Sequence, residues 1–250
     1  MDLELRDKVV VITGGASGMG KEYSYEFAKE GSKVIILDLN IESAEQIISD
    51  IHEQGGRAEA YEVDITDYSK VKKVISNILS KLDTIDILIN NASARLLDPI
   101  DKIRPEDWEK QIAIALTSVY NCTQPVIHEM KKKGYGKIIN ISSMSAIKGH
   151  LAGASHYAAA KAGVIGFTRS CALELAEYGI NVNCIAPSVV NTPLIHDLPE
   201  AAKEKLKDGI PMNRIAEPED LAGMMLLLAS DKSSFITGQT IYINGGEYMG

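Results

Sequence analysis

Ser143, Tyr157 and Lys161 are the side chains best equipped for chemistry in this chain of 250 residues. Tyr157 and Lys161 stand four apart in Ser155-His156-Tyr157-Ala158-Ala159-Ala160-Lys161, an alanine-rich run that reads as helix, so both emerge on one face. That spacing predicts an ammonium beside a phenol. A fixed positive charge favours the phenolate and brings a group that titrates at about 10 closer to operating pH. Such a tyrosine can trade a proton with an alcohol. Spacing alone decides nothing, because Tyr25 with Lys29 and Tyr68 with Lys72 share it. Context singles out the third pair, which follows Lys137-Ile138-Ile139-Asn140-Ile141-Ser142-Ser143. This β-branched run is expected to be a buried strand that delivers Ser143 at its carboxyl end, where open parallel sheets collect their chemistry.

The elements that must position these residues alternate strand and helix along the whole chain. Val9-Val10-Val11-Ile12, in a strand expected over 8–13, is apolar on both faces, as a sheet covered by helices on each side requires. Thr13-Gly14-Gly15-Ala16-Ser17-Gly18-Met19-Gly20 follows, and then a helix to about Glu30. A glycine-rich turn between strand and helix lets backbone N–H groups approach a pyrophosphate at the positive helix end. Gly15 to Lys21 also fits the start of a nucleoside-triphosphate loop, but Glu22 stands where that loop needs a magnesium-binding hydroxyl. The second strand, 33–37, ends in Asp38, 18 residues after Gly20, a spacing suited to a carboxylate on an adenosine ribose. A dinucleotide is therefore expected, and NAD over NADP, since Asp38 opposes a 2′-phosphate and Ser17 offers no charge to neutralise one.

The alternation continues with a helix from about Ile41, a strand over 58–62 and a helix over 68–82. Val63-Asp64-Ile65 is placed to edge an adenine ring, with Asp64 or Asp67 able to cap the next helix. A strand over 86–89 closes on Asn90-Asn91-Ala92-Ser93, whose small and amide side chains suit either a ligand or a turn. One long helix is expected over 105–133 and another over 155–178. A sixth strand, 181–185, leads into Ala186-Pro187-Ser188-Val189-Val190-Asn191-Thr192, and residues 188–212 read as a substrate-covering segment. A helix over 218–230 and a strand over 240–243 complete the chain. The fold class expected is α/β, a Rossmann-like doubly wound parallel sheet of about seven strands in three layers, as one domain over 1–250.

Composition narrows the partners. A net charge of −8 argues against nucleic acid, and Lys131-Lys132-Lys133 falls at a helix end, where cations complement the dipole. Cys122, Cys171 and Cys184 lie apart in apolar segments, as free thiols in a reducing compartment would, and the five histidines show no metal spacing. The charged start, Met1 to Lys8, is unlike a signal peptide, and Met224 to Ala229 is too short to span a bilayer. A soluble, cytoplasmic protein with neither metal nor membrane partner is expected.

Taken together, Thr13-Gly14-x-x-x-Gly18-x-Gly20, Asp64, Asn90-Asn91-Ala92, Ser143, Tyr157-x-x-x-Lys161 and the stretch from Pro187 to Thr192 resemble the short-chain dehydrogenase/reductase family over nearly the whole chain. The end, Ile236-Thr237-Gly238-Gln239-Thr240 and Asn244-Gly245-Gly246, is similar to its 3-oxoacyl carrier-protein reductase branch. The resemblance implies that Tyr157 exchanges the proton, Lys161 lowers its pKa and holds the nicotinamide ribose, and Ser143 hydrogen-bonds the substrate oxygen. It implies cofactor contacts from Gly14, Ser17, Gly18, Met19 and Gly20 around the pyrophosphate and from Asp38 and Leu39 at the adenosine ribose. Asp64 and Ile65 would flank adenine, Asn91 the ribose, and Val190 with Thr192 the carboxamide, while Ala92 and Pro187 would also touch the cofactor. It also implies a homotetramer with the helices around 105–133 and 155–178 at one interface.

Three positions depart from the family pattern. Ala115 replaces the asparagine that stands seven residues after the tryptophan matching Trp108, and a methyl group cannot hold that asparagine's water. Gln111, one turn earlier, is the candidate substitute, against a plainer role as a solvated or capping side chain. Ser93 and Ser188 replace glycines, with altered loop shape expected rather than lost binding. The reading that follows is an NAD-dependent oxidoreductase interconverting a secondary alcohol and a ketone. The alternatives are a 3-oxoacyl-thioester reductase and, given Ala115, an NAD-binding protein with little catalysis. Arg95, His150 and His156 are near the pocket in the chain, with surface or loop roles expected and Arg95 able to meet an anionic substrate.

Overall fold

The computed structural model describes residues 2–149, 153–196 and 198–250. Among them, β1 (Val9–Thr13), β2 (Lys33–Asp38), β3 (Arg57–Glu62), β4 (Ile87–Asn90), β5 (Gly136–Ile141), β6 (Ile180–Pro187) and β7 (Thr240–Ile243) form one sheet. The order is 3-2-1-4-5-6-7 and every pairing is parallel. The helices, in chain order, are α1 (Gly18–Lys29), α2 (Ile41–Glu53), α3 (Tyr68–Leu82), α4 (Pro105–Ile112), α5 (Ser118–Lys133), α6 (Ser145–Lys148), α7 (Ser155–Leu175), α8 (Pro193–His196), α9 (Glu200–Lys207) and α10 (Glu219–Ala229). Strand order reverses between β1 and β4, and it is outside the carboxyl ends at such a reversal that open parallel sheets leave a crevice.

Period-2 alternation along each strand sends side chains to two separate cores. Val10, Ile12, Val34, Ile36 and Ile89 pack with Tyr23 and Phe27 of α1, Ile47 and Ile51 of α2 and Leu221 and Met225 of α10. Val9, Val11, Ile35, Leu37 and Leu88 face the other way, onto Val71 and Ile75 of α3, Val126 and Met130 of α5 and Leu175 of α7. Burial on both faces is the reason β1 and β4 carry no polar residue until their last positions. Some of the polar groups that enter the interior bond to one another. The Asn90 amide donates to Thr123 Oγ1 at 3.0 Å and Asn140 Oδ1 at 2.8 Å, and the Asn140 amide donates to Thr168 Oγ1 at 2.9 Å. That chain of bonds pins the ends of β4 and β5 to α5 and α7, and so fixes the frame on which Ser143 and Tyr157 sit.

Caps mark two of the helix boundaries that bear on the cavity and its walls. Asp67 opens α3 by accepting from the N–H groups of Ser69 and Lys70 at 3.0 and 3.2 Å, which leaves Asp64 free for the loop before it. Gly134, in the left-handed region at φ 67°, closes α5 after its three lysines. The single helix expected over 105–133 is in fact two, α4 and α5, joined by a π turn at Ala113–Thr117. A π turn is one residue inserted into a helix, and the apolar periodicity on either side does not reveal it. The Ser118 hydroxyl donates to the Ile114 carbonyl at 2.7 Å, partnering one of the carbonyls of the turn.

Candidate functional site

The glycine turn after β1 is laced to both neighbouring strands. Gly14 N–H donates to the Leu37 carbonyl at 2.8 Å, and Asp38 Oδ2 accepts from Ala16 N–H at 3.0 Å. On the other side, Thr13 Oγ1 accepts from the N–H groups of Asn91 and Ala92, each at 3.0 Å, while the Asn91 amide donates to the carbonyls of Thr13 and Gly14 at 3.0 and 3.2 Å. No side chain fits at two of these glycines. A Cβ on Gly20 would lie 2.1 Å from the Gly14 carbonyl oxygen and 2.6 Å from Asn91 Nδ2. Gly14 has φ +63° and its Cβ would meet Ala92 Cα at 2.9 Å.

Above this turn, at the carboxyl edge of the sheet, opens a cavity of about 610 Å³. Of the residues singled out from sequence, Gly14, Ser17, Gly18, Met19, Asp38, Leu39, Asp64, Ile65, Asn91, Ala92, Tyr157 and Thr192 line it. Gly20, Ser143, Lys161, Pro187 and Val190 do not. Gly20 supports the turn from behind. Pro187 accepts from Met144 N–H at 2.9 Å, holding the segment around Ser143 against the end of β6, and Val190 is buried and bridged to Ala216. Sequence reasoning missed Lys110, Ala113, Ile114 and Leu194, which also line the cavity. Ala113 and Ile114 reach it through the π turn, for which the sequence carries no signal.

Tyr157 forms part of the cavity wall, and its phenol is pushed above its ordinary value by burial, opposed by a hydrogen bond from Ser143 and by the charge of Arg95. This corrects the expectation that Lys161 brings the phenol down. Lys161 does share a helix face with Tyr157, its Nζ lying 5.8 Å from the ring centroid, but Nζ donates to the Ile141 carbonyl at 2.8 Å. Lys161 is 2% exposed, and burial depresses its own value from 10.5 to about 8. Both members of the pair are therefore pushed toward their neutral forms by a dry environment. Ser143 Oγ also accepts from Ser145 N–H at 3.1 Å, which sets the start of α6.

The other two Tyr-x-x-x-Lys pairs have structural partners. Tyr25 donates to Asp50 at 2.6 Å, and Tyr68 donates to Gln124 at 2.7 Å while stacking on Tyr120. Gln111 is not solvated. It is fully buried, its Oε1 accepting from Leu96 N–H at 2.8 Å and its Nε2 donating to the Ala94 carbonyl at 2.9 Å. Ala115 is buried inside the π turn. His156 is buried too, rather than in a surface or loop position, and both its ring nitrogens lack a hydrogen-bond partner among the described residues. His150 lies outside the described residues. Ser93 and Ser188 have ordinary negative φ, so the serines meet no strain where glycine was expected. Ser188 gains a bond, its hydroxyl donating to Glu247 at 2.5 Å, and Glu247 pairs with Lys148 at 3.0 Å.

The three cysteines are free and buried, and burial pushes Cys122 up to about 12 and Cys171 and Cys184 up to about 11, leaving them unreactive thiols. Among the described residues no cluster of His, Cys, Asp or Glu could hold a metal ion, and no helix is long and apolar enough to cross a membrane. The cavity suits a dinucleotide on its own terms: the turn at Gly14 and Gly20 leaves no space for a Cβ, and Asn91 Oδ1 is buried with no partner among the described residues.

A parallel sheet whose carboxyl edge opens onto such a glycine turn, with a serine and a tyrosine meeting beside it, defines a nicotinamide-dependent oxidoreductase as a class. The model of the family described as enoyl-(acyl carrier protein) reductase matches residues 14–247. The 3-oxoacyl-[acyl-carrier-protein] reductase of Thermotoga maritima is 40% identical over 244 residues, covering 98% of this chain and 99% of that one. A short-chain type dehydrogenase/reductase from Mycobacterium marinum superposes with a TM-score of 0.94 at 30% identity, covering 100% of this chain and 99% of that one. A structure from Beutenbergia cavernae, assigned as an NAD(P)-dependent gluconate 5-dehydrogenase with NADP bound at low occupancy, has a TM-score of 0.94 at 28% identity and covers 99% of each chain. The chain belongs to the short-chain dehydrogenase/reductase family and is an oxidoreductase acting on CH–OH groups.

Proposed function

We propose that this enzyme interconverts a secondary alcohol and its ketone with NAD(H), with Tyr157 as the proton carrier. The observation that carries the reading is the placement of Tyr157: it is in the wall of the glycine-edged cavity and hydrogen-bonded by Ser143. When bound, the dinucleotide supplies the hydride acceptor or donor. Ser143 and Tyr157 together hold the substrate oxygen. Lys161 approaches Tyr157 from the sheet side, and among the described residues its Nζ makes one hydrogen bond, which leaves further donors for a ribose. Burial keeps Tyr157 protonated at neutral pH, the state that donates to a ketone oxygen, so reduction is favoured at pH 7 and oxidation gains as pH rises.

Gly14, Ser17, Gly18, Met19 and Gly20 would hold the pyrophosphate, Asp38 and Leu39 the adenosine ribose, and Asp64 and Ile65 the adenine. Asn91, Ala92, Tyr157 and Lys161 would meet the nicotinamide ribose, and Pro187, Val190 and Thr192 the carboxamide. The preference for NAD rests on Asp38. Its two oxygens are fixed by the N–H groups of Ala16 and Asn40, each at 3.0 Å, so the charge cannot swing away from a 2′-phosphate. Lys21, the lysine that directly follows the glycine turn, is drawn off over the Tyr25 ring at 5.7 Å. The NADP in the Beutenbergia cavernae structure belongs to that protein, and the carboxylate at Asp38 is the local reason for a different choice here.

A second substrate reading, a 3-oxoacyl thioester, is favoured by the 40% identity to the Thermotoga maritima reductase. Residues 188–212 would cover the substrate in either case. Exposed Trp108, Tyr120 and Leu173 support self-association, as a tetramer, through the faces of α4, α5 and α7. Tyr157→Phe is expected to lower turnover at least about a hundredfold with NADH affinity retained, the scale of lost general acid catalysis. Turnover of simple secondary alcohols and of acyl thioesters, followed by NADH absorbance with NADPH alongside, separates the substrate readings. Unchanged turnover in the phenylalanine variant refutes the assignment.

A further inference from the structure

The charged residues in the cavity wall are segregated. Asp38 and Asp64 lie at the β2 and β3 end, and Arg95 and Lys110 lie at the end shared with Tyr157 and the π turn. Arg95 belongs to the irregular segment after β4, where an unsupported loop would leave a long side chain free to wander. Here the loop is clamped on either side of it. The fully buried Gln111 side chain accepts from Leu96 N–H and donates to the Ala94 carbonyl, so the two bonds bracket residue 95. Farther along, the backbone of Asp98 and Pro99 packs so closely on Gly153 that a Cβ there would lie 2.6 Å from the Asp98 carbonyl carbon.

We propose that Arg95, held in the cavity wall by Gln111, grips a negatively charged group on the substrate beside Tyr157, with Lys110 as a second cation at the rim. The substrate is then an anionic hydroxy or keto compound, bearing a carboxylate or a phosphate, rather than a neutral alcohol. The inference rests on the alcohol and ketone reading above and adds the substrate class. Arginine suits this role because its planar fork matches the oxygens of either anion. The charge of Arg95 also reaches the Tyr157 phenol and favours its ionised form, so the residue that selects the substrate assists the proton carrier.

The test uses matched pairs: 3-hydroxybutyrate with its methyl ester, and hydroxyacetone phosphate with hydroxyacetone, which distinguish a carboxylate from a phosphate. At least one anionic member is expected to exceed its neutral partner in kcat/KM by about ten- to a hundredfold, the worth of a charge-assisted hydrogen bond. Arg95→Met is expected to collapse that ratio through KM and to move the alkaline rise of oxidation to higher pH. Arg95→Lys is expected to recover part of the ratio, and Gln111→Ala to raise KM for the anion with NADH titrations unchanged. Better turnover of the neutral members, no turnover of any anionic member, or a ratio that survives Arg95→Met overturns the proposal. Tyr157-dependent turnover of the neutral members alone would leave the oxidoreductase reading standing without it. No turnover of either kind, with NADH still bound, would count against both.

Discussion

Replacing Lys161 with methionine, a chain of similar length without the charge, is expected to change the pH dependence of folding in a calculable way. The ordinary lysine value of 10.5 is depressed to about 8 in the folded protein by burial. Between those values the unfolded chain still binds the proton that the folded chain has released, so stability rises with pH across that window. Below pH 8 the folded protein carries a buried ammonium at a cost of about 3 kcal/mol, the product of the shift and the free energy of one pKa unit. By pH 9.5 roughly 2 kcal/mol of that cost is relieved. Urea unfolding of wild type and Lys161→Met, at pH 7, 8, 9 and 9.5 and one protein concentration, isolates the effect, because other titrating groups cancel in the difference. The wild type should gain on the variant steadily above pH 8. A difference independent of pH would mean that Lys161 is hydrated in solution, and the dry pairing with Tyr157 would have to be abandoned.

Two further substitutions probe the frame. Gly20→Ala places a methyl against the Gly14 carbonyl and Asn91, and should cost about 1–3 kcal/mol and weaken NADH binding, read by melting and by fluorescence titration. An unaffected variant would show the turn to be looser than described. Ser188→Gly removes the bond to Glu247 but not the Glu247–Lys148 pair, and should lower the melting temperature by about 2–4 °C, one net hydrogen bond in a domain of this size. No change would mean that the C-terminal segment is tied by its backbone alone.

Much of this was legible in the residues because the signals were local. Apolar runs on both faces announced the first parallel strand, Asp64 and Asp67 announced a cap for α3 without deciding between them, and a glycine-rich turn between strand and helix announced the cavity floor. The unread features depend on partners far apart in the chain or on a change of helical period. Ser188, Glu247 and Lys148 meet across separations that no spacing rule spans. Gln111 looks like a surface glutamine until the loop after β4 is folded onto it. Lys161 was rightly placed on the face of Tyr157, but the carbonyl that turns its ammonium belongs to β5. The expected effect on the phenol failed because desolvation, which spacing does not report, dominates at Tyr157 and also pushes Lys161 toward its neutral form.

The π turn between α4 and α5 has a consequence for how the two walls of the cavity are joined. One added residue rotates everything beyond it by about 100° around the helix axis. Gln111, before the turn, clamps the strap that carries Arg95, whereas Asn121, after it, donates to the carbonyls of Ile65 and Thr66 at 2.9 and 3.0 Å beside the adenine end. A regular helix could aim only one of these amides correctly. Deleting a residue from 113–117 would therefore uncouple the two ends of the cleft while leaving a perfectly good helix behind.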